Sequence, residues 1–233
     1  MNNNIAIDGP AGAGKSTIAK AVAKKLGFIY VDTGAMYRAM ALYLIRNGID
    51  KNDTAAIENA CEAADISIDY KDGVQVVLLG GENVNDYIRT EEVGNMASAS
   101  SANPKVREKL VSLQQKLASE KSVVMDGRDI GTVVLPDAKC KIYLTASSRV
   151  RAKRRYDELT QKGEVCDFDQ IEADIIKRDK QDMTRKISPL KKAEDAYLVD
   201  SSDMSIEEVE EKILELAGLS FGADKKTKAL SKA

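Results

Sequence analysis

The chain has 233 residues with 35 basic and 37 acidic side chains, a formal net charge of -2, 43% hydrophobic residues and 31% charged residues. That length suits one large domain or a core with one sizeable insertion, and the composition is that of a globular protein, not a disordered one. With no histidine at all, His-based catalytic triads and His-ligated metal sites are excluded, and the near-neutral charge argues against broad nucleic-acid binding.

Ile5-Ala6-Ile7 is a short apolar strand ending in Asp8 and a Gly-rich turn. Ser16 to Leu26 has helical spacing, with Ile18, Val22 and Leu26 on one face and Gly27 as the stop. Phe28 to Val31 reads as a second buried strand, Asp32-Thr33-Gly34 as a cap, and Met36, Met40, Leu44 and Ile45 as the next helix. Strand, helix, strand, helix predicts an α/β fold with a parallel sheet. A short helix follows over 53–64. Alternating runs at 66–70, 74–79 and 82–84, separated by Lys71-Asp72-Gly73 and Gly80-Gly81, then predict a small antiparallel meander, an insertion over about 64–101. A helix starts near Pro104, strands occupy 122–125 and 141–144, and a basic helix covers 147–160. Phe168, Ile171, Ile175 and Ile176 begin a long helix to about Lys186, ended by Ser188-Pro189. Ala196 to Val199 is a last strand, Ile206 to Leu216 a closing helix, and the lysine-containing residues 219–233 are expected to fray.

The N-terminus has neither the basic nor the apolar segment of a signal peptide, no run approaches the roughly 20 apolar residues of a membrane helix, and Cys61, Cys140 and Cys166 form no C-x-x-C pair. The expectation is a cytoplasmic protein whose cysteines are small buried side chains.

Gly9-Pro10-Ala11-Gly12-Ala13-Gly14-Lys15-Ser16 fits G-x-x-x-x-G-K-[ST] between a strand and a helix. In that context the loop N–H groups and the helix N-terminus make an anion cradle, Lys15 adds charge at the β/γ-phosphates of a nucleotide, and Ser16 can hold Mg²⁺. Asp126, after the apolar Val123-Val124-Met125, is placed to orient Mg²⁺ and its water, though Asp-Gly is also a turn signal. A phosphate-ester acceptor is already ionised at neutral pH and needs cations, not a general base. That suits a chain rich in arginine. Arg151, Arg154 and Arg155 share one helix face, as an anion site or a solvated basic face. Arg178, Asp182 and Arg185 share another, as a ligand stripe or an i,i+4 ion-pair ladder.

Taken together, Ile7-Asp8-Gly9-Pro10-Ala11-Gly12-Ala13-Gly14-Lys15-Ser16, the segment 32–38 (DTGAMYR), 88–93 (IRTEEV), 104–107 (PKVR), 126–134 (DGRDIGTVV), the Arg178/Asp182/Arg185 stripe and Ser188-Pro189-Leu190 resemble the bacterial cytidylate kinases, nucleoside monophosphate kinases. The resemblance covers the chain from Ile5 to about Leu216. It implies an α/β fold of the P-loop NTPase type, with an inserted antiparallel NMP-binding subdomain and a helical lid. The core would be 1–32 and 102–218, the NMP-binding region 33–101 and the lid 151–168. It implies Mg²⁺-dependent transfer of the ATP γ-phosphoryl to CMP or dCMP by a monomer. ATP would be bound by 9–16, Thr17 and the lid residues Arg151, Arg154 and Arg155. Thr33, Ser98, Arg107 and Asp129 would recognise cytosine, Arg178 and Asp182 would hold the ribose, and Arg38, Arg128 and Arg185 would grip the acceptor phosphate. Lys15, Arg128, Arg185 and Asp126 would be catalytic, with the metal at Ser16 and, through water, Asp126. Thr33 stands where the resemblance leads one to expect Ser; it keeps the hydroxyl and adds a methyl group. Three other readings stay open: a kinase for a hydroxyl acceptor of the shikimate kind, a GTP switch (for which no N/T-K-x-D motif occurs), and an ATP-binding module without turnover.

Overall fold

The computed structural model describes residues 3–218; the expected frayed tail at 219–233 lies outside them. Five short strands form one sheet in which every pairing is parallel: β1 (Ile5–Asp8), β2 (Ile29–Asp32), β6 (Val123–Gly127), β7 (Cys140–Thr145) and β8 (Tyr197–Asp200), in the order β2-β6-β1-β7-β8. β3 (Ile66–Lys71), β4 (Val74–Leu79) and β5 (Glu82–Asn83) form the separate antiparallel sheet. The helices are α1 (Lys15–Leu26), α2 (Thr33–Arg46), α3 (Thr54–Cys61), α4 (Glu91–Ser100), α5 (Pro104–Glu120), α6 (Ser148–Gln161), α7 (Phe168–Thr184) and α8 (Ile206–Leu216).

Strand parity divides the core. Ile5, Ile7 and Val124 point to the α1/α8 side, where they meet Ile18, Val22, Val209 and Ile213. Ala6, Val123 and Met125 point to the other side, onto Met36, Met40, Leu44, Val106 and Leu110 of α2 and α5. The small sheet buries alternate residues, Ile66, Val77 and Leu79, against this second cluster. The central β1 lies between β6 and β7, so the crevice beyond its C-terminal end is where an open parallel sheet takes ligands.

Two elements depart from the sequence reading. The insertion is not only a meander: residues 91–100 are α4, capped by Thr90, whose side chain accepts from the Val93 N–H at 3.3 Å. Its apolar face is the short set Val93, Met96 and Ala97, diluted by Gly and Ser, which weakens the helical period. The segment Ile130–Val134 is a π-helical turn, held by tertiary contacts described below. Among the described residues no helix is long and apolar enough to cross a membrane. Cys61 and Cys140 are buried, Cys166 is half-buried, and all three are free.

Candidate active site

β1 delivers the chain into the loop at Gly9, whose φ is 153°. A Cβ there would sit 1.9 Å from the Leu144 carbonyl oxygen of β7, so only glycine lets the loop leave between the strands. Gly14, in the left-handed region at φ 85°, precedes α1 without a side-chain cap, and the first turn of α1 carries no acid. The N–H groups of that turn are therefore left for an anion. The Lys15 ammonium folds across the loop and donates to the Pro10 carbonyl at 2.8 Å. Burial, then the Arg128 charge, pushes its pKa down to about 7, against the pull of Asp126, Asp8 and Asp182.

Asp126 closes the other side. Its carboxylate accepts from Ser16 Oγ at 2.9 Å and from the Tyr30 hydroxyl at 2.9 Å. Asp32 is its register partner in β2. Burial and the Asp32 charge raise the Asp126 pKa, against the pull of Lys15. An alcohol oxygen and a buried carboxylate in mutual reach are hard oxygen donors that fit Mg²⁺. Among the described residues no group of three or more His, Cys, Asp or Glu could hold a metal alone, so a cation here would be shared with bound phosphate.

On the outer side of the loop, Gly12, Gly14, Lys15, Ser16 and Thr17 share a cavity of about 410 Å³ with Arg151, Arg154 and Arg155. The three arginines do not present equivalent heads to it. Arg151 is buried and spends Nε on the Ala146 carbonyl at 2.9 Å, Nη1 on the Ala11 carbonyl at 3.0 Å and Nη2 on Asp179 at 2.6 Å. It props the phosphate loop against α7. Arg154 donates to the Ser201 carbonyl at 2.7 Å, and Arg155 pairs with Glu158 at 2.8 Å in solvent.

On the inner side a cavity of about 280 Å³ runs from Ala11, Gly12, Lys15 and Ser16 to Asp129. Arg38, Ser98, Arg107, Arg128, Arg178, Asp182 and Arg185 all line it. Arg107 and Asp129 form a buried ion pair. Burial raises the Asp129 pKa, opposed by Arg107 and Arg185. Arg185, expected with Arg38 and Arg128 at a phosphate, lines the cavity with them and stands near Asp129. Its Nη2 is 4.0 Å from the Asp129 carboxylate, and its Nε donates to the Ser188 carbonyl at 2.6 Å, which fixes it at that end. The i,i+4 ladder does not form: the Asp182 carboxylate takes the Arg128 Nε at 2.8 Å from across the cavity. Burial and Arg128 lower the Arg178 pKa. Arg38 donates to the Ile88 carbonyl at 3.0 Å. Gln181 of α7 reaches Ser98 of α4 at 3.4 Å, so α4, absent from the sequence reading, supplies one wall. Thr33 does not line the cavity. It is buried, and its hydroxyl donates to the Asp126 carbonyl at 2.7 Å.

Some residues that shape this site carried no role in the sequence reading. Asp8 accepts the N–H groups of Ile130 and Gly131, both at 2.7 Å, and so pins the start of the π-turn right after Arg128-Asp129. Its burial raises its pKa to about 6. The available signal was its place at the end of β1, matching Asp126 at the end of β6. Tyr30, read only as a strand residue, has no local signal for its bond to Asp126. Arg89 pairs with Asp32 at 2.7 Å.

With phosphate loop, carboxylates and a five-arginine cavity in one crevice, relatives become informative. The family model described as cytidylate kinase matches residues 5–218. The chain belongs to the cytidylate kinase family. A protein named cytidylate kinase from Caldicellulosiruptor bescii is 54% identical over 213 residues, covering 91% of this chain and 94% of that one. Its namesake from Listeria monocytogenes serovar 1/2a is 52% identical over 215 residues, covering 92% and 96%. An uncharacterized protein from Eubacterium ventriosum has a similar fold, with a TM-score of 0.51 and 13% identity over 94% of this chain and 100% of that one. As a member of this family the chain is a phosphotransferase, with a parallel-sheet core and a separate antiparallel insertion.

Proposed function

We propose that the chain transfers the γ-phosphoryl group of ATP to CMP or dCMP, giving CDP or dCDP. What carries this reading is the single inner cavity, with Lys15 and Ser16 at one end and Asp129, Arg107 and Arg185 at the other. Such a cavity lets a donor phosphate and an acceptor monophosphate meet in line.

ATP takes its phosphates from the N–H groups of 9–16 and from Lys15, with Thr17, Arg154 and Arg155 on its outer side and Arg151 supporting the loop. Ser16, with Asp126 acting through water, would hold Mg²⁺, which when bound would neutralise phosphate charge. The region 33–101 carries the acceptor side, and 151–168 is the lid that excludes water. Arg38 and Arg128 grip the acceptor phosphate, and Arg178 and Asp182 hold the ribose. Lys15 and Arg128 stabilise charge on the transferred group, and no side chain is needed as a base because the acceptor oxygen is already anionic.

Asp129, oriented by Arg107, accepts from the cytosine 4-amino group, with Ser98 and Arg185 at the same end. Uracil presents a carbonyl oxygen there, acceptor facing acceptor, a mismatch of about 1–3 kcal/mol or more when one group is charged. The test is ADP formation from Mg-ATP with CMP, dCMP, UMP, AMP, GMP and shikimate. Turnover confined to CMP and dCMP is expected. Preferred use of another acceptor overturns the base assignment, and ATP binding without turnover overturns the reaction.

A further inference from the structure

The acceptor cavity contains a polar group that none of these roles uses. Tyr37, on α2 just before Arg38, lines the cavity, and its hydroxyl oxygen is buried with no hydrogen-bond partner. Arg185 Nη2, in the same cavity, is likewise buried without a hydrogen bond, its nearest charge the Asp129 carboxylate at 4.0 Å. A buried donor left unmet is destabilising and is uncommon in a folded protein. The Tyr37 hydroxyl, which has no such charge partner, points to an acceptor supplied from outside the chain.

The surroundings of Tyr37 specify which part of a ligand faces it. The Arg107 guanidinium lies over its ring, 5.7 Å from the centroid. The charges that act on its hydroxyl are those of Arg107, Asp129 and Arg185, the group at the base end. Arg178 and Asp182, on the ribose side, are not among them. Burial holds the hydroxyl in its protonated form, with a pKa pushed up to about 12, so it is a donor throughout the neutral range. Once Asp129 has taken the 4-amino group, cytosine still offers its ring N3 and its 2-carbonyl oxygen, both acceptors, along the same edge.

We propose that the Tyr37 hydroxyl donates a hydrogen bond to an acceptor on the pyrimidine edge and is a further base-binding residue of the acceptor site. This rests on the CMP/dCMP reading above. The contact fixes the base beside Asp129, while the ring beneath Arg107 keeps that guanidinium turned toward the Asp129 carboxylate.

Y37F removes the hydroxyl and keeps the ring. Steady-state constants for CMP and ATP, together with inhibition constants for ribose 5-phosphate as a competitor lacking the base, separate the possibilities. The expected result is a three- to tenfold rise in the KM for CMP, the size of one lost hydrogen bond, with the KM for ATP and the ribose 5-phosphate constant unchanged. An unchanged KM for CMP overturns the proposal. So does an equal weakening of ribose 5-phosphate, which assigns the hydroxyl to the shape of the pocket and not to the base. Failure of the wild-type protein to phosphorylate CMP at all is a different outcome, because it removes the acceptor reading itself before Tyr37 is tested.

Discussion

The two ends of the crevice are built in opposite ways. The phosphate loop is contiguous: residues 9–14 join β1 to α1, Lys15 and Ser16 open α1, and the work is done by backbone N–H groups that one glycine-rich turn aims inward. The acceptor pocket is convergent. Asp129 follows β6, Arg107 comes from α5, Arg38 from α2, Ser98 from α4, and Arg178 and Asp182 from α7. A contiguous site depends on local backbone freedom, and a convergent one on whatever holds distant elements in place. Here the holding is done by Asp8 on the π-turn, Arg128 on Asp182, Arg151 on the loop and α7, and Gln181 on Ser98.

Changes at the two ends should therefore fail differently. The largest effect is expected for Lys15→Met. It removes the charge at the transferred phosphoryl, and kcat should fall by roughly 10²–10³ or more. Because Lys15 is buried at some expense to its charged form, thermal unfolding should not move down. Retained kcat would take Lys15 out of the chemistry. Asp129→Asn should leave ATP binding intact and lower the CMP/UMP ratio in kcat/KM by about tenfold, since an amide donates as well as accepts. An unchanged ratio contradicts the base role.

Gly127→Ala tests the convergent end through the backbone. A Cβ at 127 would lie 2.6 Å from Ile130 Cδ1 and 3.0 Å from Thr33 Oγ1. Relief must move the buried Ile130 side chain, or the segment carrying Arg128 and Asp129 with it, at about 1–3 kcal/mol of stability. The KM for CMP should rise while that for ATP holds; equal rises would show that the two ends share one support.

Asp8→Asn gives a pH signature. The folded pKa of Asp8 lies near 6, above its ordinary 3.8. Its contribution to stability is therefore greatest below about pH 4 and is lost as pH rises through 6. Urea unfolding at pH 4.5 and pH 7 should show the wild-type advantage over the variant shrinking at the higher pH; a constant difference contradicts the raised pKa. The smallest effect is expected for Ser205→Ala, a residue that lines neither cavity. Ser205 and Glu208 form a capping box on α8, so the loss should be about 1 kcal/mol in urea unfolding, with both KM values unchanged.

Elements with a strong local period were legible from residues alone: α1 from Ile18, Val22 and Leu26, the hairpin from its alternating runs and Lys71-Asp72-Gly73, and α5 from Val106, Leu110 and Leu113 behind Pro104. What was illegible had weak or misleading local patterns. α4 is mostly small residues, and its helix is secured by packing on α2. The π-turn at 130–134 has no periodic signature and depends on Asp8, over 120 positions earlier. Arg151, Arg154 and Arg155 share a helix face as their spacing requires, yet only the fold separates a buried strut from two heads nearer solvent.

The sequence by itself determined the phosphate loop, the parallel order of strand and helix at its start, and the absence of any histidine chemistry. These follow from backbone freedom, side-chain periodicity and composition, which are properties of neighbouring residues. The tertiary structure decided that Arg185 stands at Asp129, that Thr33 turns behind the wall, that Asp182 faces Arg128, and that Tyr37 enters the pocket with its hydroxyl unmet. Those outcomes depend on which distant groups meet a buried charge or donor, and burial makes each pairing matter because no water is there to replace it.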